Sequence, residues 1–256
     1  MTINPADPRP RYQQLAGLIR DQIRSGELPP GTRVPTEVEL RKRYDVSRNT
    51  VRDALEVLRN EGLLISSQGR GAWVRAEPQM RYHASLTGSR TKRLEAERRL
   101  DTFGQQIRAQ GKVPKQVSTV EVAPAPVEIA RLLNLTEGDQ VVVRRRVQFA
   151  DDEPLQLGDS YYPLDLVQGS KIMDSADVLE GTDQILEDLG HTPTRYHDQI
   201  TWRMPTAEES TKLRLAPATP VGRLLRTSYD QHDQPIEAYE VVLPSDRHVL
   251  VYDVDA

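Results

Sequence analysis

The feature that most restricts the fold of this chain is an internal echo in its second half. Offset by about 80 residues, Glu128, Leu133, Leu135, Val141, Arg146 and Phe149 fall on Glu208, Leu213, Leu215, Val221, Arg226 and Tyr229. After a slip of one residue, Pro154, Leu155, Gln156 and Pro163 fall on Pro235, Ile236, Glu237 and Pro244. Each copy reads as a helix, Leu-x-Leu, a strand, an acidic turn, a strand opened by proline and a proline stop. Strands are expected at Val117 to Val122, Val141 to Phe149, Leu155 to Tyr162, Arg195 to Met204, Val221 to Tyr229, Ile236 to Leu243 and Val249 to Val254. Helices are expected over about 102–110, 126–133, 183–189 and 206–213, the last opened by Thr206-x-x-Glu209. This pattern predicts a mostly antiparallel sheet with helices packed on it. Duplicated hairpins tend to meet about an approximate two-fold axis, and the cleft between the copies is a natural pocket.

Strand alternation then names the groups that face such a pocket. Arg144, Arg146 and Gln148 share one face of their strand, opposite Val143 and Val147, and Gln156, Gly158, Ser160 and Tyr162 share a face of the next. The second copy offers Arg226, Glu237 and Tyr239. Arginines inside an apolar domain suit a carboxylate or phosphate held by paired N–H donors, with a tyrosine packed alongside. The same spacing also fits a ladder of charges on the wet face of a sheet. The candidate ligand-binding residues are therefore Arg144, Arg146, Gln156, Ser160, Tyr162, Arg226, Glu237 and Tyr239.

A chain of 256 residues is long for one core, so two domains are expected. The net charge of -4 conceals a division, because Lys and Arg outnumber Asp and Glu over 1–77 and again over 78–100, while acids dominate the remainder. A basic module joined to an acidic one is expected when only the first meets a polyanion. Cysteine is absent, which removes disulfides and thiolate chemistry. No apolar run approaches the roughly 18 residues that span a bilayer, and the N-terminus lacks the apolar core of a signal peptide. Cytoplasm is the expected address, with no membrane partner.

The front module supplies the polyanion-binding pattern. Tyr12, Leu15, Ile19 and Ile23 fall at helical spacing before Gly26, and Leu28-Pro29-Pro30-Gly31 reads as a turn. Thr36-Glu37-Val38-Glu39 has the form of a capping box opening a second helix through about Tyr44. After Asp45-Val46, Ser47 caps a third helix whose buried stripe is Val51, Ala54, Leu55 and Leu58. Two short helices joined by a tight turn form a helix-turn-helix, whose second helix enters the major groove. Arg48, Asn49 and Thr50 occupy its first turn and Arg52 lies one turn on, all off the core stripe. Arginine can chelate guanine O6 and N7. Leu63-Leu64-Ile65 and Ala72-Trp73-Val74 then bracket Ser66 to Gly71 as a hairpin wing, with Arg70 at its tip.

The segments Val34-Pro35-Thr36-Glu37-x-Glu39-Leu40, Val46-Ser47-Arg48-x-Thr50-Val51-Arg52-x-Ala54-Leu55, Glu61-Gly62-Leu63 and Gln68-Gly69-x-Gly71-x-x-Val74 resemble the DNA-binding domain of the GntR family of bacterial repressors. The resemblance implies that Arg48 and Arg52 read bases, that Ser47, Asn49 and Thr50 contact phosphate or assist, and that Gly69-Arg70 reaches the minor groove. Thr36 and Gln68 complete the candidate DNA-binding set. At Val38 the family often carries a DNA-contacting arginine, so weight shifts to Arg48, Arg52 and the wing. In the rear, Arg144-Arg145-Arg146-x-x-x-Ala150-Asp151-x-x-Pro154-Leu155-Gln156-x-x-x-Ser160-Tyr161-x-Pro163 and Asp233-x-Pro235-Ile236-Glu237 resemble the effector-binding UTRA domain of the HutC-type branch, which shares its fold with chorismate lyase. There the paired strand arginines and the groups at Gln156 and Glu237 commonly line the effector site. Gln156 replaces a frequent glutamate here, and Leu243 a frequent aromatic.

The expected architecture is α+β: a winged helix-turn-helix over 9–76, a basic linker over 77–100, and an effector-binding and dimerisation domain of chorismate-lyase-like fold over 101–256. Linker cations Arg90, Lys92, Arg93, Arg98 and Arg99 either face solvent or lie against DNA phosphates. The expected partners are double-stranded operator DNA with a palindromic site, a small anionic effector and a second copy of the chain. An enzyme built on the rear fold is the competing class, and a plain architectural DNA binder a third. His191, His197, His232 and His248 carry no nucleophile or metal-ligand partner at telling spacing, so no catalytic residue, metal or cofactor is expected.

Overall fold

The structure is a computed structural model, and it describes residues 3–4, 6–67, 71–75, 80–84, 102–176, 178, 181–215 and 219–253, with the side chains of Ser66 and Ser67 left out. Gln68, Gly69, Arg70 and the cations between Arg90 and Arg99 lie outside that set. The chain divides into two compact units, residues 1–78 with 217–219 and residues 79–216 with 220–256.

In the front unit α1 (Arg11–Arg24) begins behind Pro10, whose fixed φ suits a helix start. It buries Gln14, Leu15, Ala16 and Ile19, while Tyr12 and Ile23 pack at the margin. Gln14 is buried because its amide is used: Oε1 accepts from Asn4 N at 2.9 Å and Nε2 donates to Arg9 O at 2.9 Å. Helix α2 (Glu37–Tyr44) opens on the expected capping box, with Glu39 N donating to Thr36 Oγ1 at 3.3 Å and Thr36 N donating to Glu39 Oε2 at 2.7 Å. Helix α3 (Arg48–Asn60) is capped by Ser47, whose Oγ accepts from Thr50 N at 3.1 Å. Its stripe of Val51, Ala54, Leu55 and Leu58 closes the core with Leu15, Ile19 and Leu40. Strands β1 (Leu64–Ser67) and β2 (Gly71–Val74) pair antiparallel as the wing.

The rear unit contains one six-stranded antiparallel sheet. Its strands are β4 (Pro114–Pro124), β5 (Gln140–Ala150), β6 (Glu153–Pro163), β7 (Arg195–Arg203), β8 (Val221–Tyr229) and β9 (Pro235–Pro244), in the order β4-β5-β6-β9-β8-β7. The two copies of the repeat are thus two three-stranded halves, joined where Leu157–Tyr161 pairs with Ala238–Val242. The acidic turns behave as their residue types require. Asp151 and Asp152 both adopt positive φ (52° and 63°), which a two-residue hairpin turn demands.

On one face lie the repeat helices α5 (Val127–Leu132) and α8 (Ala207–Lys212). The Leu-x-Leu that follows each packs on the sheet: Leu133 and Leu135 with Val141, Val143 and Leu225, Leu213 and Leu215 with Val221 and Val242. Covering a leucine this way contributes about 1.5–3 kcal/mol. Over the other face, α6 (Leu164–Val167), a 3₁₀ turn (Lys171–Met173) and α7 (Thr182–Asp188) cover Val142, Tyr162 and Ile236.

Two expectations need correction. The span set aside as a linker, 77–100, contains a strand, β3 (Met80–His83), which pairs parallel with β10 (His248–Val251). Tyr82 and Ala84 pack on Leu224, Val241 and Leu243 of the sheet. The other edge of β3 is satisfied by side chains associated with α4 (Thr102–Ala109): Gln110 Oε1 accepts from Arg81 N at 2.9 Å, and Gln106 Oε1 accepts from His83 N at 3.0 Å. Secondly, α6 and the 3₁₀ turn fall in a stretch assigned no element. Among the described residues no helix is long and apolar enough to cross a membrane.

Candidate functional sites

On the front unit, the first turn of α3 leaves Arg48, Asn49 and Arg52 exposed, with Ser47 before them and Thr50 half-buried. Arg48 Nε donates to Glu37 Oε2 at 3.2 Å, so the first residues of α2 and α3 meet side chain to side chain. Thr36 is engaged by its own cap, both its N–H and its hydroxyl donating to Glu39 Oε2. Val38 is 71 % exposed on the first turn of α2. A basic, N-terminal helical turn with free backbone N–H groups is suited to phosphate and base edges. The wing-tip members of the set, Gln68, Gly69 and Arg70, lie outside the described residues.

On the rear unit, the sheet face that carries the arginines borders a cavity of about 500 Å³. Seven of the eight candidate residues line it: Arg144, Arg146, Gln156, Ser160, Arg226, Glu237 and Tyr239. Tyr162 stands behind the wall, its hydroxyl donating to Glu237 Oε1 at 2.7 Å. The wet-face alternative fails, because Arg144, Gln156, Ser160, Arg226 and Glu237 are all buried. Helix α4, β3 and α7 supply the remaining walls, including Tyr82, Phe103 and Thr182.

The three arginines are in different states. Arg144 uses its guanidinium on backbone: Nη1 donates to Ile172 O at 2.7 Å and to Asp174 O, and Nη2 to Ala176 O at 3.1 Å. It holds the segment that follows the 3₁₀ turn. Arg226 is bound to Asp198 of β7 through Nε at 2.6 Å and Nη2 at 2.7 Å, and Nη2 also donates to Ala84 O at 2.8 Å. Burial pulls its pKa down, but the Asp198 carboxylate outweighs that and the guanidinium stays charged. Arg146 has no such partner. Its Nε donates to Gly158 O at 3.2 Å and Nη2 to Ser160 Oγ, both neutral oxygens, and it lies 5.3 Å from the centre of the Tyr239 ring. Among the described residues no carboxylate lies within ion-pair distance of it.

Tyr239 crosses the sheet over Gly158, where a Cβ would come within 2.7 Å of its hydroxyl oxygen, so the absence of a side chain at 158 seats the ring. Glu237 accepts from Tyr162 and, at 3.3 Å, from Ser228 Oγ. Burial pushes the Tyr162 and Tyr239 hydroxyls up, keeping both as proton donors. His248 also borders the cavity, and burial pulls it down to about 4, leaving a neutral ring unsuited to acid–base work near neutral pH. Among the described residues no group of three His, Asp or Glu is placed to hold a metal.

Gln148, set on the pocket face by strand alternation but not among the candidate residues, lines the cavity and completes an amide chain, with Gln156 Nε2 donating to Gln148 Oε1 at 2.7 Å and Gln148 Nε2 to Gln116 Oε1 at 3.3 Å. Sequence reasoning missed Asp198, although the repeat offset aligns it with Ser118, the residue paired across from Arg146.

Family comparisons agree with both units. The model described as bacterial regulatory proteins, gntR family, matches residues 11–74, and the UTRA domain model matches residues 109–249. This chain is a GntR-family regulator with a UTRA domain. The regulator is 30 % identical over 235 residues to YurK, an HTH-type transcriptional regulator of Bacillus subtilis, covering 91 % of each chain. It is 28 % identical to the HTH-type transcriptional repressor NagR of Bacillus subtilis, covering 100 % of this chain and 99 % of NagR. A crystal structure described as a GntR-family transcriptional regulator superposes with a TM-score of 0.62 at 25 % identity, covering 97 % and 98 % of the two chains. The regulator is accordingly a DNA-binding transcription factor and not an enzyme.

Proposed function

We propose that this regulator is a repressor, acting as a homodimer on a palindromic operator, whose grip on DNA is changed by a small anionic effector bound in the rear cavity. The carrying observation is Arg146, a permanently charged group facing the cavity and hydrogen-bonded, among the described residues, to neutral oxygens only, while its repeat counterpart Arg226 is neutralised by Asp198. A carboxylate or phosphate accepting from Arg146 beneath the Tyr239 ring supplies the missing charge. Gln156 and Ser160 border the same end, and Glu237 offers an acceptor to a hydroxyl or ammonium of the same ligand. Arg144 and Arg226 act from the walls.

At the front, Arg48 and Arg52 read bases, Ser47, Asn49, Thr50 and Thr36 face phosphate, and Gln68, Gly69 and Arg70 form the wing contact. The repressor sense is favoured by the name that NagR carries. An effector regulates only by binding the DNA-competent and DNA-incompetent states unequally.

Thermal-shift screening of small carboxylates and phosphates tests the reading. A specific compound at 100 times its dissociation constant adds about 2.7 kcal/mol of stability. The same compound is expected to change operator affinity in a mobility-shift assay. A screen in which no anion stabilises the protein would leave it a ligand-independent regulator.

A further inference from the structure

We propose that Arg33 is a DNA-binding residue in its own right, a phosphate anchor seated at the root of the wing. Sequence pattern ends a turn at Gly31 and gives the next residues no element. In the structure residues 31–34 run beside β2, joined to it by an isolated antiparallel bridge. Gly31 N donates to Val74 O at 3.0 Å, Val74 N to Thr32 O at 2.8 Å and Val34 N to Ala72 O at 2.9 Å, with Arg33 opposite Trp73.

Alternation then fixes the direction of Arg33. Val34 points into the core and is 2 % exposed, so Arg33 points the other way, on the outward wing face with Trp73 and its cross-strand neighbour Ile65. Gly71 shares that face, and a Cβ built there would lie 3.4 Å from both Nε and Nη2 of Arg33. Gly71 directly follows Gln68-Gly69-Arg70, and three residues after Arg33 the chain reaches Thr36, the cap of α2. Arg33 is thereby placed between the first residue of β2 and the cap of α2.

The side chain is exposed, and among the described residues no acid lies within ion-pair distance of it, the Glu39 carboxylate only feeling its charge from farther off. Glu39, a neighbouring acid, is engaged by the capping box. The exposed Val38 leaves its part of the first turn of α2 uncharged. Arg33 supplies positive charge from the adjoining segment, in a position suited to backbone phosphate, which supplies register and affinity without reading sequence.

The test uses the full chain and two probes: a 30-base-pair duplex of arbitrary sequence, and a duplex selected from a random pool by the unsubstituted protein. Fluorescence anisotropy is followed across a sodium chloride series for R33A, R33Q and R33K. Both neutral variants are expected to lose about threefold to tenfold in affinity on both duplexes, and to lower the logarithmic salt slope by about 0.9, the value for one phosphate contact. R33K keeps the slope. Unchanged thermal melting shows that the fold is intact, and R33Q, which retains a polar stem, answers if R33A melts early. Unchanged affinity and slope in the neutral variants would overturn the proposal. So would a loss confined to the selected duplex with an unchanged slope, since that pattern belongs to a base-reading group.

Discussion

Arg146 in β5 and Arg226 in β8 occupy equivalent places in the duplicated sheet, but the residue paired across from each differs. Ser118 stands opposite the first and Asp198 opposite the second. The second arginine is closed by its carboxylate, which also accepts from the Tyr252 hydroxyl at 2.9 Å, and the group becomes part of the wall. The first keeps its charge turned to the cavity. One repeat, one residue type and one change across the strand pair thus separate an arginine closed by its own carboxylate from one hydrogen-bonded, among the described residues, to neutral oxygens. Burying a charge without a counter-ion is costly, which makes the half-buried Arg146 the less settled of the two arginines.

Removing the closing acid is the strongest way to break this comparison. D198A leaves Arg226 buried and uncompensated and is expected to destabilise the protein by roughly 3–5 kcal/mol, against a change within about 0.5 kcal/mol for S118A. Urea unfolding at pH 7 measures both. Equal losses would mean that Asp198 does no more for Arg226 than Ser118 does for Arg146. The converse substitution, S118D, copies the second half onto the first. It is expected to abolish the anion-induced stabilisation of about 2.7 kcal/mol at 100 times the dissociation constant, while raising stability in the absence of ligand. A variant still stabilised in full by the same compound would place the anion elsewhere in the cavity.

The sequence carried the repeat, the caps at Thr36, Ser47 and Thr206 and the parity of the cavity strands, because these depend on neighbours a few residues apart. It did not carry what depends on pairing between distant segments. Met80-Arg81-Tyr82-His83 is too short to announce a strand and exists as one through β10 and two glutamine side chains. Residues 31–34 look like the end of a turn until β2 lies beside them. Arg144 and Arg226 read as ligand groups equal to Arg146, since nothing local shows that one holds the carbonyls of Ile172, Asp174 and Ala176 and the other is held by Asp198. The Ser118–Asp198 alignment was present in the offset, but its meaning required the register.

The opposite face of the same junction offers a smaller test. Asp159 and Glu240 are directly paired where the halves meet. There the second half is again the better closed: Arg223 contacts Glu240 at 2.8 and 3.0 Å, whereas Arg145 approaches Asp159 only at 3.5 Å. Burial, reinforced by Glu240 and opposed by Arg145, pushes Asp159 up to about 6 from an ordinary 3.8. A carboxyl raised on folding favours the folded state in its protonated form. Its contribution is therefore complete below about pH 4 and is lost as pH rises through 6. D159N cannot ionise, so it is expected to match the unsubstituted protein near pH 4.5 and to exceed it by about 1–2 kcal/mol at pH 7.5 in parallel urea titrations. The direction matters more than the size, because an Asp159 held well by Arg145 would give the reverse, a variant weaker at pH 7.5 than at pH 4.5. That outcome would show both halves closed alike on this face, and would confine the asymmetry to the arginines of the cavity.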